Sequence, residues 1–189
     1  MEIKRKNIFI QAWELMVTTT VAWDDIASKN ATRKSIRSQY SFPWILICVF
    51  SVLFFNSLYA NEKPIETGFL NAIITAVSYF GGYFLSNAIG YWYLRKQIPD
   101  KYSELDCEKI VSYSLTTIFI IKTITTALPS LFFLQSLYVY TAYLVWEGCR
   151  AVLKLEDEER GNIVIIFSLL IIFSPALISF VIRLMLPNL

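Results

Sequence analysis

The chain has 189 residues, 56% of them hydrophobic and only 17% charged, with a mean hydropathy of +0.50. A soluble domain carries about 25% charged residues, so the composition excludes a single water-soluble core and points to a multi-span membrane protein. The formal net charge of +2 names no partner, and no basic block is interleaved with stacking aromatics, so nucleic acid is not an expected ligand.

There is no histidine, which removes the commonest metal ligand and the commonest general base. Cys48, Cys107 and Cys149 form no CxxC or other metal spacing. No metal or other cofactor is expected.

Residues 1–40 read as a cytoplasmic N-terminal segment. Lys4, Arg5 and Lys6 imitate the start of a secretory signal, but Gln11, Trp13 and Glu14 interrupt the apolar part that should follow. Ile8, Ala12, Leu15 and Met16 recur at helical spacing, beside Phe9 and Trp13. That pattern fits an amphipathic helix lying at the membrane surface, or a helix facing the core of a small soluble cap. Thr18, Thr19 and Thr20 break it. Lys29, Arg33, Lys34 and Arg37 then make a basic approach to the membrane. They suit anionic lipid headgroups or, equally, a solvated topology signal.

Residues 41–189 read as an all-α membrane bundle of five spans, at about 42–59, 68–94, 110–128, 131–152 and 162–186. Pro43 opens the first span, where a missing N–H does no harm. The second span carries no formal charge and is ~40 Å long as a helix, enough to cross a ~30 Å hydrocarbon core with some tilt. Ser78, Gly82, Ser86 and Gly90 fall at four-residue steps on it. Such a stripe lets a second backbone approach closely, so this helix is expected at the centre of the bundle. Asn71 and Asn87 should turn inward with it, because hydrocarbon offers their amides no partner.

Residues 97–109 read as a polar loop or short helical start. Its acidic spacing lacks the glycine and the twelfth-position glutamate of a calcium loop. The third span is rich in threonine and carries Lys122, and Pro129 forces the reversal into the fourth. Pro175 should kink the fifth. Fourteen Lys and Arg fall on the side that includes the N-terminus, against three on or near the other. The positive-inside rule then makes the N-terminus cytoplasmic, and five crossings put the C-terminus outside.

Charged residues inside spans are functional suspects. Lys122 can snorkel outward, take a buried partner or serve transport. Glu147 lies nearer the cytoplasmic face, at a different depth, so its expected partner is Arg150, three residues on and on the same helix face, with Lys109 or Arg160 as rivals. Tyr138, Tyr143 and the span-three threonines either line a polar cavity or bond between helices. No Walker loop, GxSxG or HExxH motif is present, so no enzyme activity is expected.

Several short motifs have a familiar arrangement. They are Trp23-Asp24-Asp25-Ile26 ahead of the membrane, Tyr40-Ser41-Phe42-Pro43 at the start of span one, and Gly81-Gly82-Tyr83 with Gly90-Tyr91 in span two. Together with the tightly spaced spans and the short charged loop between the last two, they resemble the compact prokaryotic form of the Yip (Ypt-interacting protein) domain family. The resemblance covers nearly the whole chain. It implies a non-enzymatic scaffold or adaptor in a bacterial inner membrane, organising membrane lipids, further copies of itself or another membrane protein. A small GTPase enters as a partner only by distant analogy with eukaryotic members. The alternative is a small-solute transporter or channel using Lys122, Glu147 and the tyrosines.

Overall fold

A computed structural model describes residues 7–98 and 101–185; Lys4, Arg5, Lys6, Asp100 and Leu186, the last residue of the fifth predicted span, lie outside the described residues. Among those described there is no strand, and the regular elements are all helical.

Helix α1 (Ile8–Val17) starts on Asn7, whose Oδ1 accepts from the Phe9 N–H at 3.0 Å. Thr18 leaves helical geometry at φ −123°, ψ 51°, and α2 (Thr19–Ser28) begins at once. Thr32 caps α3 (Arg33–Ile36), its Oγ1 accepting from the Ser35 N–H at 3.2 Å. This short helix passes through a π-helical turn (Arg37–Ser41) into α4 (Phe42–Tyr59) without a break. Lys63 turns the chain in a left-handed conformation, φ 45°, and Pro64 opens α5 (Pro64–Gln97).

Helix α6 (Glu104–Ser114) starts six residues earlier than the predicted span. Ser103 and Asp106 form a capping box: Ser103 Oγ accepts from the Asp106 N–H at 3.3 Å, and Asp106 Oδ2 accepts from the Ser103 N–H at 2.9 Å. Two otherwise orphaned donors are satisfied this way, which draws the start of the helix back into the polar stretch. One break at Leu115 leads into α7 (Thr116–Ala127).

A 3-10 helix (Pro129–Val139), kinked at Leu131 (φ −89°, ψ 25°), then α8 (Tyr140–Gly148) and a π-helical segment (Cys149–Leu153) follow one another. Lys154, at φ 50°, ends the last of them, and α9 (Asp157–Met185) carries Pro175 inside it.

Among the described residues four helical runs are long and apolar enough to cross a membrane: Arg33–Tyr59, Pro64–Gln97, Glu104–Ala127 and Asp157–Met185. The predicted fourth span, 131–152, is not among them; along it the chain passes from 3-10 through α- to π-helix, and its second half carries Glu147 and Arg150. It still runs from one end of the bundle to the other. At its start Ala127 O accepts from Tyr59 Oη at 2.6 Å, and at its finish Leu153 O accepts from Tyr102 Oη at 2.9 Å.

Helix α5 packs along both α4 and α9. Ser78, Gly82, Ser86 and Gly90 are all buried. A Cβ on Gly82 would stand 2.8 Å from the Pro175 nitrogen, so only glycine lets the two backbones meet there. Around the contact Ser86 Oγ donates to Leu170 O at 3.1 Å, Ser174 Oγ donates to Gly82 O at 3.0 Å, and the two hydroxyls lie 2.7 Å apart. Neighbouring serines commonly satisfy backbone groups near a proline in an apolar bundle. The stripe is therefore occupied by the chain's own last helix.

Candidate functional site

Arg33 and Arg37 stand one helical turn apart, as do Glu104 and Glu108, so two cations on one helix face two carboxylates on another. Arg37 Nε donates to Glu108 Oε1 at 2.6 Å, and Arg37 Nη2 donates to Oε2 at 2.6 Å. Arg33 Nε donates to Glu108 Oε2 at 3.0 Å, while Arg33 Nη1 pairs with Glu104. Tyr83 on α5 donates its hydroxyl to Glu108 Oε1 and lies 3.2 Å from Ser112 Oγ.

The Glu108 side chain is 0% exposed. A carboxylate taken wholly out of water persists as an anion only when its oxygens are saturated by charged or hydroxyl donors. Four donors from three elements supply that here. The π-helical turn begins at Arg37 itself, and such turns recur at functional positions.

The same end of the bundle fastens the N-terminal segment at three more places. Lys109 Nζ donates to the Ala27 and Lys29 carbonyls, at 3.3 Å each, closing the C-terminus of α2 with a cation. Trp23 is buried edge-on to Tyr113 at 6.0 Å, and its ring occupies the space a Cβ on Gly148 would need. Arg150 Nε donates to Glu147 Oε2 at 2.8 Å and Nη2 to Asp24 Oδ1 at 2.9 Å, so the expected local pair is present and reaches α2 as well.

The basic approach thus sits differently from a row of free cations. Lys29 pairs with Asp25 at 2.7 Å, Arg33 and Arg37 hold Glu108, and Lys34 stands exposed. Helix α1 buries Ala12 and Leu15 against the protein and leaves Phe9, Ile10, Trp13 and Val17 outside. Asn87 is buried with Nδ2 donating to Tyr83 O at 2.9 Å, and Asn71 Oδ1 accepts from Arg183 Nη2 at 3.1 Å.

Lys122 has no carboxylate partner among the described residues and is not brought to Glu147. Tyr138 is half-buried and Tyr143 exposed, its ring 5.4 Å from that of Tyr140. Among the described residues no three His, Cys, Asp or Glu side chains gather as a metal-binding group.

Glu104, Glu108, Lys109 and Tyr83 were not singled out from sequence as site residues. Two signals pointed to the carboxylates: the Ser103-to-Asp106 capping box, which makes 104–109 helical, and the four-residue spacing shared by the arginines and the glutamates. Two clefts flank the arginine pair. One, of about 440 Å³, is lined by Arg33, Lys34, Arg37, Ser38 and Phe42. The other, of about 460 Å³, is lined by Arg33, Arg37, Phe84, Asn87, Ala88, Tyr91 and Glu104.

Long apolar helices packed as an all-α bundle, with a saturated ion-pair cluster at one end, define a polytopic integral membrane protein. The chain belongs to the Yip1 domain family, whose model matches residues 16–178. It is also similar to the vacuolar membrane protease of Ajellomyces dermatitidis (strain ER-3 / ATCC MYA-2586), 30% identical over 82 residues, which is 42% of this chain and 8% of that protein. The vacuolar membrane protease of Ajellomyces capsulatus (strain G186AR / H82 / ATCC MYA-2454 / RMSCC 2432) is 32% identical over 82 residues, with the same coverage of each chain. The match thus spans less than a tenth of these curated relatives. No solved structure matches the chain.

Proposed function

We propose that the protein is a non-enzymatic membrane scaffold or adaptor, one that organises lipids or protein partners at the cytoplasmic face of a bacterial inner membrane. One observation carries this reading. The charged groups at that end are engaged in fastening residues 19–41 to the bundle, through Arg33 and Arg37 on Glu108, Lys109 on α2 and Arg150 on Asp24. A rigid basic and aromatic platform suits a surface for headgroups or partners. Carboxylates neutralised by arginine are poor general bases or nucleophiles. The matched 82 residues are a small part of the vacuolar proteases, and proteolysis is not carried over from them. Recruitment of a small GTPase enters only through the wider family resemblance.

Purified protein in liposomes separates this from the transport alternative. A scaffold leaves entrapped solutes in place and enriches particular lipids around itself, read by mass spectrometry of the lipids retained in nanodiscs. Solute efflux that disappears in Lys122→Ala would establish the transporter instead.

A further inference from the structure

The two clefts beside Arg33 and Arg37 share those residues and differ in their other walls. Each guanidinium has five N–H donors and uses only part of them on Glu104 and Glu108, so both keep donors for a second anion. Arg33 and Arg37 are paired with Glu104 and Glu108, and exposed Lys34 lines the smaller cleft beside them, so three cations stand with two carboxylates and one net positive charge is left. One phosphodiester carries one negative charge and matches it; a doubly charged phosphate monoester does not.

Asn87 supplies a second, independent observation. Its side chain lines the larger cleft, is 8% exposed, and is oriented by the bond from Nδ2 to Tyr83 O. Its Oδ1 has no hydrogen-bond partner among the described residues. A buried acceptor left open is costly, and this one calls for a hydroxyl or ammonium donor. The walls indicate where the rest of the ligand goes. Phe42, Phe84 and Ala88 are apolar, and Ile73, Val77 and Phe84 lie on one exposed face of α5 at helical spacing. That strip suits an acyl chain running down the helix from the cleft.

We infer that these clefts bind one anionic phospholipid with a glycerol-type headgroup, its phosphodiester on Arg33, Lys34 and Arg37 and a headgroup hydroxyl on Asn87 Oδ1. Glu108 is then a positioning residue that aims both guanidiniums. The inference rests on the reading that the protein organises lipids.

The test titrates the full-length protein in mild detergent with phosphatidylglycerol, phosphatidylcholine and glycerol 3-phosphate, counting bound molecules by native mass spectrometry. One phosphatidylglycerol retained per chain, about tenfold tighter than phosphatidylcholine, supports the site. Lys34→Gln alters an exposed residue whose ammonium has no ion-pair partner among the described residues, and should weaken phosphatidylglycerol about fivefold. Asn87→Leu keeps the size and removes the acceptor for the headgroup hydroxyl, so it should weaken phosphatidylglycerol severalfold; unchanged binding in that variant overturns the placement of the hydroxyl. Equal retention of the two lipids, or an unchanged preference in Lys34→Gln, overturns the proposal. Displacement of the lipid by millimolar glycerol 3-phosphate overturns its lipid source in favour of a soluble phosphate ester. Solute flux is measured separately, so a missing lipid site without flux leaves the scaffold reading standing, and flux overturns that reading whichever lipid binds.

Discussion

Glu108 is cut off from water and holds its charge only because Arg33, Arg37 and Tyr83 surround it. Removing one partner of such a buried pair leaves the others uncompensated, at about 3–5 kcal/mol. Glu108→Ala should therefore lower the thermal midpoint in detergent and expose backbone amides of residues 19–41 to hydrogen exchange; unchanged exchange there would refute its fastening role. Tyr83→Phe removes one hydrogen bond to a charged group and should cost less, about 1.5–3 kcal/mol, in the same melt. Gly148 is constrained by volume. A Cβ there would lie 2.9 Å from the Trp23 ring, so Gly148→Ala should destabilise by about 1–3 kcal/mol through overpacking. The motif residues read from sequence acquire physical roles here: Trp23 fills that space, Asp24 pairs with Arg150, and Tyr40 lies 2.6 Å from Thr116 Oγ1.

Between elements, the contact of α5 with α9 is where the small-residue stripe acts. A four-residue repeat of Ser and Gly shows that some backbone must approach, but it is equally suited to a second copy of the chain and to another helix of the same one. The structure seats Pro175 on Gly82. Gly82→Leu should accordingly lower the thermal midpoint while leaving the mass by light scattering unchanged; a changed mass with an unchanged midpoint would return the stripe to self-association. The hydroxyl pair Ser86–Ser174 should show a coupling of about 0.6 kcal/mol in a double-mutant cycle, the average for interhelical hydrogen bonds in membrane bundles. Helix α6 teaches a similar lesson. Acidic residues of the 97–109 stretch, open from sequence between a loop and a short helical start, form the first turns of a helix because Ser103 and Asp106 cap it.

For the whole molecule, the open question is the run Pro129–Val139 to Cys149–Leu153. It joins opposite ends of the bundle although it is not one long apolar α-helix. A 3-10 helix rises about 2.0 Å per residue against 1.5 Å in an α-helix, so the Pro129–Val139 part advances further per residue than an α-helix would. If it crosses, the chain crosses five times and its two termini face opposite compartments. Reporters fused at either terminus should then read opposite sides in intact cells. Matching signals would reduce the count to four and reverse the orientation of α9.

Read alone, the amino-acid sequence determined the solvent of the fold, its all-α class, its family resemblance and the local Glu147–Arg150 pair. Hydropathy, helical spacing and three-residue separations are properties of a chain segment by itself, and need no knowledge of what packs against it. Only the tertiary structure decided that Arg33 and Arg37 meet a glutamate some seventy residues away, and that the small-residue stripe is covered by α9. A charge in a polar stretch looks solvated until a distant helix is laid over it. Which helix covers it is settled by packing and crossing geometry, and those are pairwise quantities that no single segment encodes.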